Sequence, residues 1–170
     1  MTFCIKIPKK IDINICTNQI CIKGIFGEQT LNYSNLKLII LNDNLIIQNN
    51  NSCSLSYLQT FVSLIQQTFR GVLTGYKEQL ILIGVGYRCR IVNNELELKL
   101  GFSHLVNVSI PNFLNISCPK PNKINIMGAN KQKIGEFVYN LQNLRFPEPY
   151  KGKGIFKKNQ KIIRKQGKKV

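Results

Sequence analysis

The first third of the chain alternates apolar and polar residues, a pattern typical of short β-strands with one buried face. The alternation runs through residues 11–15, breaks at the turn-forming pair Thr17-Asn18, and resumes through residues 20–22 before Gly24. A further strand is expected around residues 30–33. The pattern therefore predicts an antiparallel hairpin followed by a single strand.

A second hairpin and a helix are predicted next along the chain. The apolar runs LKLIIL and LIIQ lie on either side of a turn signal at residues 42–44. From Leu55 to Arg70 the period changes, and apolar residues recur at steps of three and four, as on one face of a helix. Gly71 follows the last predicted turn, where a C-cap glycine is expected.

The second half of the chain repeats this order of elements. The run LILIGVGYRCRIV turns at residues 93–94 into ELELKL, and a single strand is expected near residues 106–110. The runs LNISC and KINIM, joined by a turn at residues 119–122, predict another hairpin. A helix is predicted from Lys131 to Leu144, with Asn130 as its N-cap.

The repeated order of hairpin, strand, hairpin and helix indicates an α+β fold with two tandem duplicated modules, each an antiparallel β-sheet with one packed α-helix. The alternative is a coincidence between two ordinary α+β stretches, since few residues are identical between the halves. We expect the modules to span residues 1–75 and 76–146, followed by an extended basic tail at residues 147–170.

The predicted tail begins with the stretch PEPYKGKGI. Pro147 and Pro149 disfavour helix for themselves and for the residues before them, so the chain is expected to leave the second helix extended. In an extended chain Lys151 and Lys153 share one side, and the glycines that follow them would let the backbone approach phosphates. Tyr150 offers a ring for stacking on a base. The alternative is a solvated, disordered tail.

Positive charge is concentrated in this tail. The 170-residue chain has 24 basic and 8 acidic residues, a formal net charge of +16. Residues 1–75 contribute +3, residues 76–150 contribute +4, and residues 151–170, with no acidic residue, contribute +9. Such a surface predicts an anionic partner, nucleic acid or an acidic membrane. A membrane-surface helix is not favoured, because the apolar residues of the tail form no sustained stripe.

The six cysteines and the single histidine do not form a metal-binding pattern. No Cys-x-x-Cys pair is present, so the usual zinc spacings are absent. Most of the cysteines lie in apolar, strand-like runs, and we expect free, buried thiols in a reducing compartment. The sequence therefore predicts no metal and no cofactor.

Features that could indicate an enzyme are weak. His104 lies at a junction between strands without a neighbouring acidic motif. Gly84-Val85-Gly86 begins like a dinucleotide-binding motif, but the third glycine is missing and a strand follows instead of the required helix. These glycines are expected to allow a bulge or a close backbone approach. The sequence predicts no catalysis and no small-molecule substrate.

No window of about 18 apolar residues is present, so no transmembrane helix and no membrane partner is predicted. The first 15 residues lack the apolar core of a signal peptide and the composition of a transit sequence, and folded material is expected from the start. Ile, Asn and Lys exceed a third of all residues, a bias expected of an AT-rich genome.

Four ordered blocks of the sequence resemble one known family. PEPYKGKGI resembles the full C-terminal signature of the bacterial-type large-subunit ribosomal protein six family, with every position satisfied. GVLTGYKEQLILIGVGYR resembles that family's passage between modules, LELKLGFSHLV its strand-turn block, and GANKQKIGEFVYNLQNLR the start of its second helix. IKIPKKIDINI and IKGIFGEQTLNY match more loosely, so the resemblance spans nearly the whole chain.

The resemblance implies a structural component of the large ribosomal subunit that supports translation. It would bind large-subunit ribosomal RNA near the sarcin-ricin region and the stalk base, mainly through the second module and the tail, beside neighbouring large-subunit ribosomal proteins. The residues expected to contact RNA, from the motifs and from the charge of the tail, are Lys77, Arg88, Ser103, His104, Lys131, Tyr150, Lys151, Lys153, Lys157, Lys158 and Lys161.

Three departures from the family pattern modify these expectations. Asn130 stands where aspartate is usual but can still cap the helix, and Leu105 replaces a proline, which is expected to loosen the turn at His104. Residues 54–60 lack the basic stretch of the family's first helix, so RNA contact by the first module is not predicted.

The alternative function is a free-standing protein-protein adaptor with a basic, solubilising tail. The expected compartment is the mitochondrial matrix and its ribosome, with the chain encoded in the organelle, because the AT-rich bias is combined with the lack of a presequence. A plastid or a bacterial cytoplasm is the alternative.

Overall fold

The computed structural model describes residues 2–49 and 54–167, and the chain forms two compact units, Met1–Gly75 and Tyr76–Val170. The elements of the first unit are β1 (Thr2–Lys6), β2 (Asp12–Ile15), β3 (Gln19–Gly24), β4 (Gly27–Asn32), β5 (Leu36–Leu41), β6 (Asn44–Asn49) and α1 (Leu55–Thr74). Those of the second unit are β7 (Tyr76–Ile83), β8 (Arg88–Val92), β9 (Glu95–Lys99), β10 (Val106–Ser109), β11 (Leu114–Lys120), β12 (Lys123–Gly128), α2 (Lys131–Leu144) and β13 (Gly154–Lys157).

Both units pair their strands in the same order. The first unit has one sheet in the order β1-β6-β5 and another in the order β2-β3-β4. The second unit has the corresponding triplets β7-β12-β11 and β8-β9-β10, and β13 is added at the edge of β7. Neighbouring strands are antiparallel. The predicted antiparallel α+β class is confirmed, but each unit holds two sheets and not the single sheet that was expected.

Alternating apolar positions on the strands and one face of each helix form the two cores. A fully buried aliphatic side chain contributes roughly 1.5–3 kcal/mol relative to an exposed one. In the first unit the fully buried residues are Ile20 and Ile22 of β3, Leu45 and Ile47 of β6, and Leu58, Ile65 and Val72 of α1. In the second unit they include Leu80 of β7, Leu96 and Leu98 of β9, Ile124 and Ile126 of β12, and Val138 of α2.

Helix α1 ends four residues later than predicted, at Thr74. The prediction that Gly71 caps the helix was wrong, because Gly71 is buried inside it and the fully buried Val72 continues the apolar face. Gly75 is the C-cap: its φ is +68°, and its N–H donates to the carbonyl of Gly71 at 3.0 Å. A Cβ at Gly75 would lie 3.0 Å from the ring of Phe26, so this position accepts little besides glycine.

Helix α2 has the bounds that the sequence predicted, Lys131–Leu144. The Oδ1 atom of Asn130 accepts hydrogen bonds from the backbone N–H groups of Gln132 at 2.9 Å and Lys133 at 3.2 Å. The predicted N-cap is therefore confirmed, with asparagine satisfying two of the free donors at the helix start. Among the described residues, no helix has the length and apolar character needed to cross a membrane.

The run LILIGVGYRCRIV is not one strand, because it divides at its glycines into β7 and β8, which belong to different sheets. A Cβ at Gly84 would lie 2.8 Å from the ring of Tyr87, and Gly86 has a φ of +75°. The expected close approach is confirmed at Gly84, where the neighbour is an aromatic ring, and not at Gly86, where no neighbouring atom lies within 4 Å of an added Cβ. Strands β1 and β13 were not predicted.

The expectation of buried thiols holds for only one of the five cysteines that the structure describes. Cys89 is buried, whereas Cys4 and Cys16 are exposed and Cys21 and Cys118 are half-buried. The reason is the pleat of the strands: Cys4 of β1, for example, precedes the buried Ile5 and points to the opposite face. Cys53 lies outside the described residues.

We expect Gly75→Ala to lower the free energy of unfolding by roughly 1–2 kcal/mol, because a Cβ is unfavourable in the left-handed region. Urea denaturation followed by circular dichroism measures the change. Gly135→Ala is the matched control: Gly135 lies inside α2, and no atom outside its own stretch of helix comes within 4 Å of the added Cβ. This variant should gain about 0.5–1 kcal/mol, and a similar loss in both variants would contradict the capping role of Gly75.

The thiols should differ sharply in reactivity. Burial raises the pKa of Cys89 from its ordinary value of 9.0 to about 12, so little thiolate is present to react at pH 8. Iodoacetamide at pH 8, followed by mass spectrometry, should label the exposed Cys4 and Cys16 and leave Cys89 unmodified until the protein is unfolded in urea. Between pH 9 and 12 the unfolded thiol loses its proton first, so the free energy of unfolding should fall as pH rises.

Candidate nucleic-acid interface

The residues expected to contact RNA all lie in the second unit, and ten of the eleven are exposed. The exception is Lys157, which is half-buried at the end of β13. They are distributed over β7, the start of β8, the loop at residues 101–105, the start of α2, and the segment that follows α2. The contacts of these elements decide which of the residues belong together.

The segment after α2 is folded and not extended. The N–H of Glu148 donates to the carbonyl of Lys153 at 2.8 Å, and the N–H of Gly152 donates to the carbonyl of Glu148 at 3.0 Å. These bonds close a turn, the basic loop (residues 148–153), with Tyr150 and Lys151 at its tip. The extended alternation predicted for Lys151 and Lys153 was therefore wrong, although both side chains are exposed.

The two glycines of the stretch PEPYKGKGI allow other parts of the chain to pack closely against the basic loop and the start of β13. Gly152 is buried with a φ of +65°, and a Cβ there would lie 3.0 Å from the guanidinium of Arg164. Gly154 is buried with a φ of +139°, and its Cβ would lie 2.7 Å from the carbonyl oxygen of Phe146 and 2.8 Å from the Cα of Pro147. The prediction that phosphates approach the backbone at these glycines was wrong, because the chain itself occupies that space.

Strand β13 anchors the segment to the unit, where a separate tail was expected. It pairs with β7 from Gly154 opposite Ile83 to Lys157 opposite Leu80, and its Ile155 is fully buried. The N–H of Lys158 continues the pairing by donating to the carbonyl of Gln79 at 2.9 Å. This register places the end of β13 beside the part of β7 that carries Lys77.

The buried amide of Gln142 and the amide of the exposed Gln160 hold the other side of β13. Gln142 of α2 is only 7% exposed, and its Nε2 donates to the carbonyl of Ile155 at 3.2 Å and to Oε1 of Gln160 at 2.9 Å. The same Oε1 accepts the N–H of Lys157 at 3.3 Å. This glutamine pair (Gln142 and Gln160) satisfies groups that would otherwise be buried without partners, and it fixes the chain as far as residue 160.

Three planar groups connect the loop at residues 101–105 to the end of α2. The guanidinium carbon of Arg145 lies 5.3 Å from the centre of the Phe102 ring. The rings of Phe102 and His104 are 6.0 Å apart and inclined by 18°. We call this arrangement the stacked column (Arg145, Phe102 and His104). The carbonyl of Arg145 accepts the N–H of Ile155 at 3.1 Å, so the column is bonded directly to β13.

The predicted contact Arg88 lies beside this loop, in a cavity of about 350 Å³ that is also lined by Lys99 and Leu105. Arg88 stands opposite Lys99 in the pairing of β8 with β9, and both are exposed. The next pair on the same face of the sheet, Arg90 with Glu97, forms an ion pair. Like charges directly opposite each other are destabilising, so the Arg88 and Lys99 pair suits an anion that neutralises both.

The structure does not bring Lys131 to the other candidates. Lys131 is the first residue of α2, and Arg145 follows its last. At 1.5 Å per residue these ends are about 20 Å apart. Near Lys131, the Nζ atom of Lys133 lies 4.7 Å from the centre of the Phe113 ring. The start of α2 is therefore a separate basic site.

Sequence reasoning missed Arg145, Phe102, Lys99 and the glutamine pair. A basic residue at the end of a helix and an aromatic residue in an exposed loop were available as signals for Arg145 and Phe102. No signal pointed to Gln142, whose role depends on a strand that was not predicted. No group of three or more His, Cys, Asp or Glu residues that could hold a metal ion occurs in the described ranges.

Comparison with known proteins points to one family. A family model described as Ribosomal protein L6 matches residues 83–158, which contain the basic loop and β13. The chain is 38% identical over 167 residues to the large ribosomal subunit protein uL6 of Spiroplasma citri, with 96% of this chain and 93% of that protein covered. For the protein of the same name from Mycoplasma genitalium the identity is 39% over 166 residues, with 95% and 90% covered.

A third relative, the large ribosomal subunit protein uL6 of Coxiella burnetii, is 33% identical over 168 residues, which cover 97% of this chain and 94% of that protein. These three relatives are bacterial. They give no support to the expected mitochondrial location, and they agree with the bacterial alternative.

We expect Gln142→Met to loosen the anchored segment, because methionine keeps the volume but removes both donors. The variant removes the hydrogen bond that positions Oε1 of Gln160, the acceptor of the Lys157 N–H. Hydrogen exchange at the amide of Lys157 should become about tenfold faster, since removing a bond to a buried group costs roughly 1–3 kcal/mol. Mass spectrometry or NMR of the exchanging protein measures the rate. Asn143→Met, an exposed position on the same helix, is the control and should leave this amide unchanged. Equal rates in the two variants would contradict the anchoring role.

Proposed function

Because this chain belongs to the ribosomal protein L6 family, we propose that it is a structural constituent of the large ribosomal subunit and binds large-subunit ribosomal RNA. The observation that carries the proposal is the basic loop, whose Tyr150, Lys151 and Lys153 are exposed on a backbone fixed by hydrogen bonds and by β13. Cations that are fixed in advance bind phosphates without a further loss of chain entropy. The site in the RNA would be near the sarcin-ricin region and the stalk base.

The second unit supplies the RNA contacts in this proposal. The basic loop, the Arg88 and Lys99 pair and the loop at residues 101–105 all belong to it. The lysines at the end of β13, Lys157 and Lys158, and Lys77 on the neighbouring strand extend the surface along the edge of the sheet. Lys131 would contact RNA from the other end of α2, and Lys161 from the exposed chain after residue 160.

The first unit is proposed to contact neighbouring ribosomal proteins. It contributes a charge of only +3, and α1 carries no charged residue from Leu55 to Phe69. On its exposed face the hydroxyls of Thr60 and Ser63 donate to carbonyls of the helix itself, at 2.8 and 3.0 Å. A neutral surface of this kind has little attraction for phosphates.

We infer that the two modules arose by tandem duplication and that they correspond to residues 1–75 and to the part of the chain from residue 76. The shared strand order of the sheets supports this inference. In this view β13 is an addition to the second module. The protein would have no catalysis of its own and would act in a bacterial cytoplasm, as the bacterial relatives suggest.

We expect the double substitution Lys151→Gln with Lys153→Gln to weaken binding to purified large-subunit RNA and to reduce its salt dependence. Each phosphate that the variant no longer neutralises should lower the slope of log affinity against log salt by about 0.7–0.9. Filter binding between 50 and 200 mM KCl measures the slope. Lys9→Gln with Lys10→Gln, two exposed lysines of the first unit, is the control and should change little.

Equal effects of the two double substitutions would contradict the assignment of the surface. The adaptor alternative predicts that the protein is released from large subunits by a high-salt wash, whereas a ribosomal constituent should sediment with them. Deleting residues 151–170 would be a poor test, because it also removes β13.

A further inference from the structure

The stacked column ends in an exposed ring, that of His104. The Phe102 ring contacts both Arg145 and His104, and its separation and tilt from the His104 ring are within the range of stacked aromatic pairs. Phe102 is 36% exposed, and the side chain of His104 is exposed. In the described part of the chain His104 is the last ring of the column. The His104 ring is nearly parallel to the Phe102 ring, and its outer face, the one turned away from Phe102, presents a flat surface to a further planar group.

We propose that this outer face of His104 binds one unpaired RNA base by stacking, with Phe102 and Arg145 holding the imidazole in place. The inference rests on the proposed function and adds the class of ligand, a single-stranded nucleobase, and its position. Proteins recognise unpaired RNA bases by stacking them on aromatic rings and on guanidinium planes, and the column contains both kinds of group.

The base of the loop is rigid enough for such a site. Leu100 is fully buried, and Gly101, with a φ of +78°, turns the chain directly after it. A Cβ at Gly101 would lie 3.2 Å from the ring of Tyr87, which is itself only 8% exposed. The loop is thus held by packing at its start and by the Arg145 contact at Phe102. A ring that is fixed before binding loses little entropy when a base stacks on it.

Cations are available for the phosphates next to the stacked base. Leu105, the residue after His104, is 50% exposed and lines the cavity that also contains Arg88 and Lys99. Arg88 and Lys99 stand opposite each other, and Glu97, which also lines this cavity, forms an ion pair with Arg90. A nucleotide that places its base on His104 could therefore place an adjacent phosphate between Arg88 and Lys99.

The experiment measures the affinity of the full chain for purified large-subunit RNA at pH 8 over a series of salt concentrations. His104→Ala removes the ring, and His104→Phe keeps a ring but removes the imidazole nitrogens. Tyr139→Ala is the matched control, since Tyr139 is also an exposed aromatic residue of the second unit, on α2, and belongs to none of the proposed RNA contacts. Melting curves of the variants confirm that they are folded.

We expect His104→Ala to weaken binding by about tenfold, the typical effect of removing one stacking ring, and His104→Phe to stay within about threefold of the wild type. The salt slope should not change in either variant, because stacking releases no counterions. Tyr139→Ala should bind like the wild type.

Three results would overturn the proposal while leaving the proposed function intact. Equal losses in His104→Ala and His104→Phe would assign the contact to hydrogen bonding by the imidazole. A reduced salt slope in His104→Ala would assign it to a phosphate. Unchanged affinity in His104→Ala would show that no base stacks there. If the wild-type chain itself fails to bind the RNA, the proposed function fails, and the stacking proposal fails with it.

Discussion

The pairing of β13 with the edge of β7 is the interaction on which the candidate surface depends. From its composition alone, the basic segment after α2 would be expected to lie in solvent. The four residues of β13 instead make it part of the core, with Ile155 fully buried. The chain on both sides of β13 is fixed as a result. The basic loop lies before it, and the lysines at residues 157 and 158 lie at its end. The column of planar groups is bonded to it through the carbonyl of Arg145.

The buried amide of Gln142 shows how α2 and β13 are held in one arrangement. A polar side chain in a core is costly unless its donors and acceptors are satisfied, so it stabilises only the arrangement that satisfies them. Both hydrogen bonds of this amide go to the segment after α2. An apolar residue at this position would pack against several positions of the strand almost equally well. Apolar contacts hold α2 and β13 together, and the amide of Gln142 fixes which residues of β13 lie opposite it.

Features set by local chemistry could be predicted from the sequence, and features set by distant partners could not. The period of α2 and its asparagine cap follow from neighbouring residues, and the exposed lysines follow from composition. The predicted end of α1 was four residues too early. The sequence shows that residue 71 is a glycine, but it does not show that this glycine is buried inside the helix. Strand β13 has only four residues and no alternation, and its partner lies far back in the chain.

The order in which the strands pair has a consequence for the synthesis of the protein. β7 is the first strand of the second unit to be synthesised. Its edge away from β12 has no partner strand in that unit until residues 154–157 have been synthesised and form β13. Pairing between such distant segments is slow, because a long loop must close first. An open strand edge is also prone to unwanted pairing during that interval. The basic loop is thus among the last parts of its unit to form, and it takes up its fixed shape only when β13 has paired with β7.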